Sequence, residues 1–256
     1  MGFLGNLFNK KEKAFFKVTL SEENVSTPSK WEQLKVYHSL DKKDISPTFK
    51  KFGDIFKAKL NGYSVEQTGS MLKVSKICNQ LEQAIFIEKS LGNSLEVIVC
   101  IKPVDFYKLH KFTMIFPIGL GEILNNHRRT HFPLTKEWEI LADYLIERIN
   151  NEIGAHFEKY NSYSKIIQNR FEIEPEEKRI LSNRYELLIY AAIKVRNKDL
   201  LERYLKYKIE NSAMRISKSE YLKPHPKEIN EDEFLNTILK LTKDNDFEKI
   251  DKLLID

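Results

Sequence analysis

Glycine and proline are scarce in this chain, nine and eight among 256 residues. No low-complexity tract is present, so little disorder is expected. Cysteine is scarcer still. Cys78 and Cys100 are the only two, too few for a disulfide framework. Both fall in predicted strands among apolar neighbours, and buried free thiols suit a reducing, cytoplasmic compartment. A single disulfide in an exported protein is the competing reading.

Long apolar runs are also missing. The start, Met1 to Phe8, is apolar but stops at Asn9, Lys10 and Lys11, too short for a signal peptide or a membrane span. Asn6 stands where a myristoylation motif needs Ser or Thr. Phe3, Leu4, Leu7 and Phe8 at helical spacing before Lys10, Lys11 and Lys13 form a segment suited to an anionic membrane surface. Packing of that turn on its own domain is the alternative, since it buries little area.

No catalytic template is recognisable. Gly119 and Gly121 do not make a phosphate-binding loop, and no nucleophile elbow occurs. No cofactor is implied. The net charge is +5, and the surplus sits in residues 1–60, with 12 basic and 7 acidic groups. That is too dilute for nucleic-acid recognition, which needs a concentrated stripe.

What is present is a dense set of β-branched and aromatic runs between residues 81 and 120. Four strands are predicted, at 71–78, 81–89, 95–101 and 112–118. In the third, Leu95, Val97, Val99 and Ile101 alternate with polar ends; Phe112, Met114, Phe116 and Ile118 do the same in the fourth. Short connections and period-two alternation predict antiparallel pairing. Pro117 lacks a ladder donor and predicts an edge or bulge there.

Helices flank these strands. Ser46 and Pro47 suit a helix start, and Phe49, Phe52, Phe56 and Leu60 recur along one face. Asn61 and Gly62 suit its stop. Thr135 is expected to cap a long helix with the stripe Trp138, Leu141, Leu145, Ile149 and Ile153, which Gly154 interrupts. Tyr160, Tyr163, Ile166, Ile167 and Phe171 predict a shorter packed helix. Composition changes at residues 172–177, and everything beyond reads helical, over 178–195, 199–209, 232–242 and 246–255, with a linker at 222–226. A repeat with an offset of 47 residues aligns Glu186 with Glu233, Leu187 with Phe234, Leu188 with Leu235, Arg196 with Lys243, Asp199 with Asp246 and Leu200 with Phe247. Each unit would be two helices around a tight turn, the second capped by Asp. The expected architecture is α+β: an antiparallel sheet packed with helices over residues 1–171, then a helical segment of two hairpins over 172–256.

One loop stands out, residues 121–135. His127 and His131 lie four apart. On one helix face they would bind a metal, with Glu122 or His110 as third ligand, and activate water in a hydrolase or nuclease. The intervening Arg128 and Arg129 oppose a cation and instead offer bidentate donors to an anion or small acidic ligand. A solvated loop explains the same residues. The helical half is rich in Tyr185, Tyr190, Tyr204, Tyr207 and Tyr221, interspersed with Arg184, Arg196, Arg203 and Arg215, types favoured at interface hot spots and also in ordinary helix packing.

The order of elements from the Phe49 helix through Gly62 and Tyr63, the strand with Phe86 ending at Lys89 and Ser90, and the one ending at Pro103, to the Arg/His loop and the Trp138 helix, resembles an uncharacterised bacterial domain family of unknown function. The resemblance covers about residues 46–170. It implies architecture and no site. Members tend to carry paired tryptophans at the helix start and a glutamine before the Lys-Ser step; here Trp138 stands alone at that helix start, and Glu88 precedes Lys89. Related small α+β domains include immunity proteins that neutralise toxins, so the resemblance favours a binding role. With no catalytic template and a helical half bearing Tyr and Arg, the expected function is a protein-binding module, an immunity or adaptor protein without catalysis.

Overall fold

The computed structural model describes residues 28–90, 93–104, 118–124, 131–173, 184–218 and 226–255. Its centre is the predicted antiparallel sheet. Strands β1 (Ser64–Gln67), β2 (Met71–Cys78), β3 (Leu81–Ser90), β4 (Ser94–Pro103) and β5 (Ile118–Gly119) lie in that order, and β6 (His131–Pro133) also pairs with β4. Every pairing is antiparallel. Alternation sets the register: Leu72, Val74, Leu81, Ile85, Ile87, Leu95, Val97, Val99 and Ile101 all point to one face and are buried. A one-residue slip would turn that whole set outward. The β2–β3 hairpin closes through Asn79 and Gln80, both with positive φ (49° and 65°), the turn whose twist matches its strands.

The fourth predicted strand is described only at its end, because Phe112, Met114, Phe116 and Pro117 lie outside the described residues. Ile118 and Gly119 form β5 against Val99 and Ile98. The region read as loop 121–135 holds two short elements, helix α2 (Leu120–Ile123) and β6. Three residues of strand carry no periodicity, which is why it escapes a sequence pattern. β1 has only Val65 as an apolar residue and escapes in the same way.

Cys78 lies on the core side with Leu72 and Val74, whereas Cys100 pairs with Ala84 on the opposite side. Neither is in a disulfide, and an intrachain disulfide through the sheet is geometrically excluded. Cys100, Ala84 and Phe86 form a second, smaller buried cluster with Met71 and Ile98. On that same side Glu82 bridges Lys73 (2.6 Å) and Lys102 (2.8 Å).

Helix α1 (Ile45–Lys59) covers the first face with Phe49, Phe52 and Phe56. It begins two residues earlier than predicted from Ser46 as cap and Pro47 as first helical residue. Asp44 occupies the cap position without a side-chain bond, and Ser46 and Pro47 lie inside the first turn, where N–H groups have no helical partner anyway. Gly53 allows the close approach of β1: a Cβ there would meet Gln67 Oε1 at 2.3 Å, and Gln67 Nε2 donates to the Phe49 carbonyl (2.7 Å).

Helix α3 (Trp138–Arg148) starts three residues after Thr135. Thr135 is not its cap residue; its buried hydroxyl accepts from the Glu137 N–H (3.3 Å). The helix is not interrupted at Gly154. It passes through a π-turn (Ile149–Ile153) into α4 (Gly154–Lys159). Short helices α5 (Tyr163–Gln168) and α6 (Arg170–Ile173) follow. Phe171, expected in the packed stripe, is exposed (68%), because α5 and α6 are separate helices and the stripe does not continue between them.

The C-terminal half is helical: α7 (Arg184–Lys194), α8 (Lys198–Lys218), α9 (Pro226–Lys243) and α10 (Phe247–Ile255). Successive helices pack, and α10 returns against α7, so two hairpins close on each other. Pro226 opens α9 at the position that tolerates proline. The repeat is real in geometry but at an offset of 49, not 47. Val195 N–H to Ala191 O, Arg196 N–H to Ile193 O and Asn197 N–H to Ala192 O recur as Asp244 to Lys240, Asn245 to Thr242 and Asp246 to Leu241. Arg196 and Asn245 share φ of 57° and 58°. Asn197 Oδ1 accepts from Leu200 N–H and Asp246 Oδ1 from Lys249 N–H, both at 3.1 Å. The first cap is therefore Asn197, not Asp199. One continuous hydrophobic cluster runs from Trp31 and the sheet through Tyr190 and Tyr204 to Leu254.

Candidate functional site

His127, Arg128 and Arg129 lie outside the described residues, as does His110. His131 opens β6. It is exposed and faces Glu96 on β4, with Nε2 and Oε2 3.9 Å apart. Its strand is held from below: Phe132 is buried, with its ring 6.0 Å from that of Tyr144, and Leu134 N–H donates to Asn93 O (2.8 Å). Among the described residues, no group of three His, Cys, Asp or Glu side chains gathers with metal-binding geometry.

Four residues beyond β6, the rim carries a histidine–carboxylate contact that sequence spacing does not reveal. Glu137 Oε2 accepts from the His38 backbone N–H (3.1 Å), and Oε1 meets His38 Nδ1. Lys136 N–H donates to His38 O (2.8 Å), and Ser39 bridges to Thr135. The His38 ring is the main reason the Glu137 carboxyl is held down to about 2. The imidazole itself is 63% exposed. The pair fastens the segment after Trp31 to the start of α3, and its partners come from 99 residues apart, too far for any local motif.

His156 on α4 is a different kind of histidine. Burial, aided by Lys159, pushes it down to about 4, so the ring is neutral at pH 7. It lies 5.0 Å from the Tyr160 ring. Glu172 joins Lys159 and accepts from the Tyr160 hydroxyl (3.2 Å).

The Tyr and Arg residues of the helical half divide between packing and surface. Tyr190 and Tyr204 are buried. Arg196 pairs with Asp251 (2.6 Å) and stands over Phe247 (5.3 Å), holding α10 to the first turn. Tyr221 lies outside the described residues. Tyr185 stacks on Tyr207 with ring centres 4.5 Å apart and meets Tyr204 edge-on at 6.0 Å. The Lys208–Glu186 ion pair (2.8 Å), largely buried, pins α8 to α7 beneath this stack. On the outer side of α8, Asp199, Glu202, Arg203, Lys206, Tyr207 and Glu210 line a shallow depression of about 480 Å³. Lys206 reaches Glu202 along it (3.3 Å). Residues at successive three- and four-residue steps share one helix face, so this surface is a continuous strip along α8.

No protein-family model, no curated protein and no solved structure matches the chain. None of the helices among the described residues is long and apolar enough to cross a membrane.

Proposed function

We propose that this protein is a protein-binding module of the immunity or adaptor kind, and that it takes its partner on the outer strip of α8. The observation that carries this reading is the Tyr207 ring, stacked on Tyr185 beside Arg203 in a strip of mixed charge. Tyr and Arg dominate interface hot spots because each brings large contact area with a polar end. A tyrosine already stacked has little rotamer freedom left to lose on binding. The charges around it, Asp199, Glu202, Lys206 and Glu210, suit a rim that selects a partner by charge pattern and speeds encounter.

The test is a paired capture from the native host with the wild-type chain and Tyr207→Ala and Arg203→Ala variants, followed by affinity measurement on the recovered partner. A partner bound by wild type should lose roughly tenfold or more in affinity to each variant. A partner that binds both variants with unchanged affinity would show that the strip is not its docking surface.

A further inference from the structure

The described chain carries a second surface of different chemistry. Between Asp41 and Lys59 there are six lysines against three aspartates. The buried side of α1 uses Thr48, Phe49, Phe52, Gly53 and Phe56, so Lys50, Lys51 and Lys57 project from the opposite side and are exposed. Lys50 and Lys57 are seven residues apart, which leaves them on one stripe about 10 Å apart along the axis. Lys42 and Lys43 lie exposed in the turn that enters the helix. Only Lys59 of the six has an ion-pair partner, Asp143 at 2.6 Å; the other five make none among the described residues. Upstream, Lys35 precedes Val36 and Tyr37, which are 62% and 38% exposed, with Tyr37 steadied against the Trp31 ring at 5.0 Å.

We infer that this basic stretch, residues 35–57, is a contact surface for an anionic lipid bilayer. Three features select lipid over other polyanions. Every basic side chain before Arg128 is lysine or histidine. Lysine is a hydrated point charge without the planar fork that reads carboxylates or phosphates in pairs, and it is depleted from protein interfaces. The aromatic rings of α1 are all buried, so Tyr37 is the one exposed ring of the stretch, too few for the successive base stacking of single-stranded nucleic acid. The large exposed apolar side chains of this stretch are Val36 and an amphipathic Tyr37, preceded by Lys35, a combination suited to the headgroup level. Lipid attraction needs only diffuse charge near the surface, and each lysine adds to it.

The experiment is co-sedimentation of the full chain with vesicles of phosphatidylcholine alone and of phosphatidylcholine with phosphatidylglycerol. Binding is expected to the anionic vesicles only, and to fall as salt is raised. A Lys50→Glu/Lys51→Glu/Lys57→Glu variant should lower the partition coefficient by about two orders of magnitude or more, while the corresponding triple arginine variant keeps it. Circular dichroism confirms that both variants fold. Equal binding to neutral vesicles, or anionic binding unchanged by charge reversal, would overturn the inference. So would failure to bind vesicles alongside salt-sensitive binding to duplex DNA, which would assign the surface to nucleic acid.

Discussion

At the scale of single residues, two histidines show how position decides chemistry. His38 is exposed and joined to a carboxylate; His156 is mostly buried beside Lys159. A histidine whose folded value lies near 4 binds fewer protons than the same residue unfolded, for which the value is near 6.5. The unfolded state therefore takes up the extra proton between those two values, and stability rises with pH across that window. His156 contributes fully above pH 6.5 and nothing below about pH 4. Urea unfolding at pH 7 and pH 4 should show a loss of up to about 3 kcal/mol from this residue. His156→Phe keeps the contact with Tyr160 and should show a smaller loss than wild type over the same range. An identical slope in both proteins would assign the acid sensitivity elsewhere, for example to Glu172, whose carboxyl is held down by Lys159. None of this was legible in the sequence. His156 stands in a helical stretch with no partner at any motif spacing, and its burial depends on tertiary packing. The histidines singled out by spacing include His131, whose surroundings are an exposed strand and Glu96.

At the scale of elements, the apolar stripe Leu141, Leu145, Ile149, Ile153 and Phe157 advances in strict steps of four. On an α-helix each such step overshoots a full turn by about 40°, so the stripe would wander off the sheet. The π-turn at Ile149–Ile153 takes more residues per turn and brings the stripe back. The four-residue period was visible in the sequence, and Gly154 was read as its interruption; the slack is instead taken up just before it. Inserting one alanine after Asn151, an exposed residue of that turn, would add a residue beyond the one the π-turn absorbs and rotate α4 by about 100°. Phe157 and Tyr160 would leave the core, at a cost of about 3–5 kcal/mol, whereas Asn151→Ala should be within about 1 kcal/mol of wild type. Thermal melts of the two variants separate these outcomes. The paired hairpins teach a related lesson. An offset of 47 aligned Glu186, which is buried, with Glu233, which is exposed. An offset of 49 aligns Ile189 with Ile238, Leu201 with Ile250 and Leu205 with Leu254, all buried. Core positions, not charges, carry the register of the repeat.

For the molecule as a whole, the α+β plan follows from alternation in β2, β3 and β4, which are buried on a face that the sequence pattern identifies. The architecture beyond them depends on contacts between distant segments: β6 on β4, Gly53 under Gln67, α10 against α7. Short elements and long-range partners leave no local pattern, so they emerge only once the chain is folded. The α8 strip was half legible. Its Tyr and Arg content was visible, but which rings are inside (Tyr190, Tyr204) and which lies at the surface (Tyr207) is decided by the hairpin.

The clasp between His38 and Glu137 bears on the order of events in folding. The β2–β3–β4 meander and each helical hairpin join neighbours in sequence, so their loop-closure cost is small. The clasp instead joins groups 99 residues apart and closes after the sheet and α3 exist. Contacts that form late are absent from the transition state and act on unfolding alone. Glu137→Gln should therefore speed unfolding and leave refolding nearly unchanged in a stopped-flow chevron. A slowed refolding limb would mean that the amino-terminal segment is recruited early, before the sheet it borders is complete.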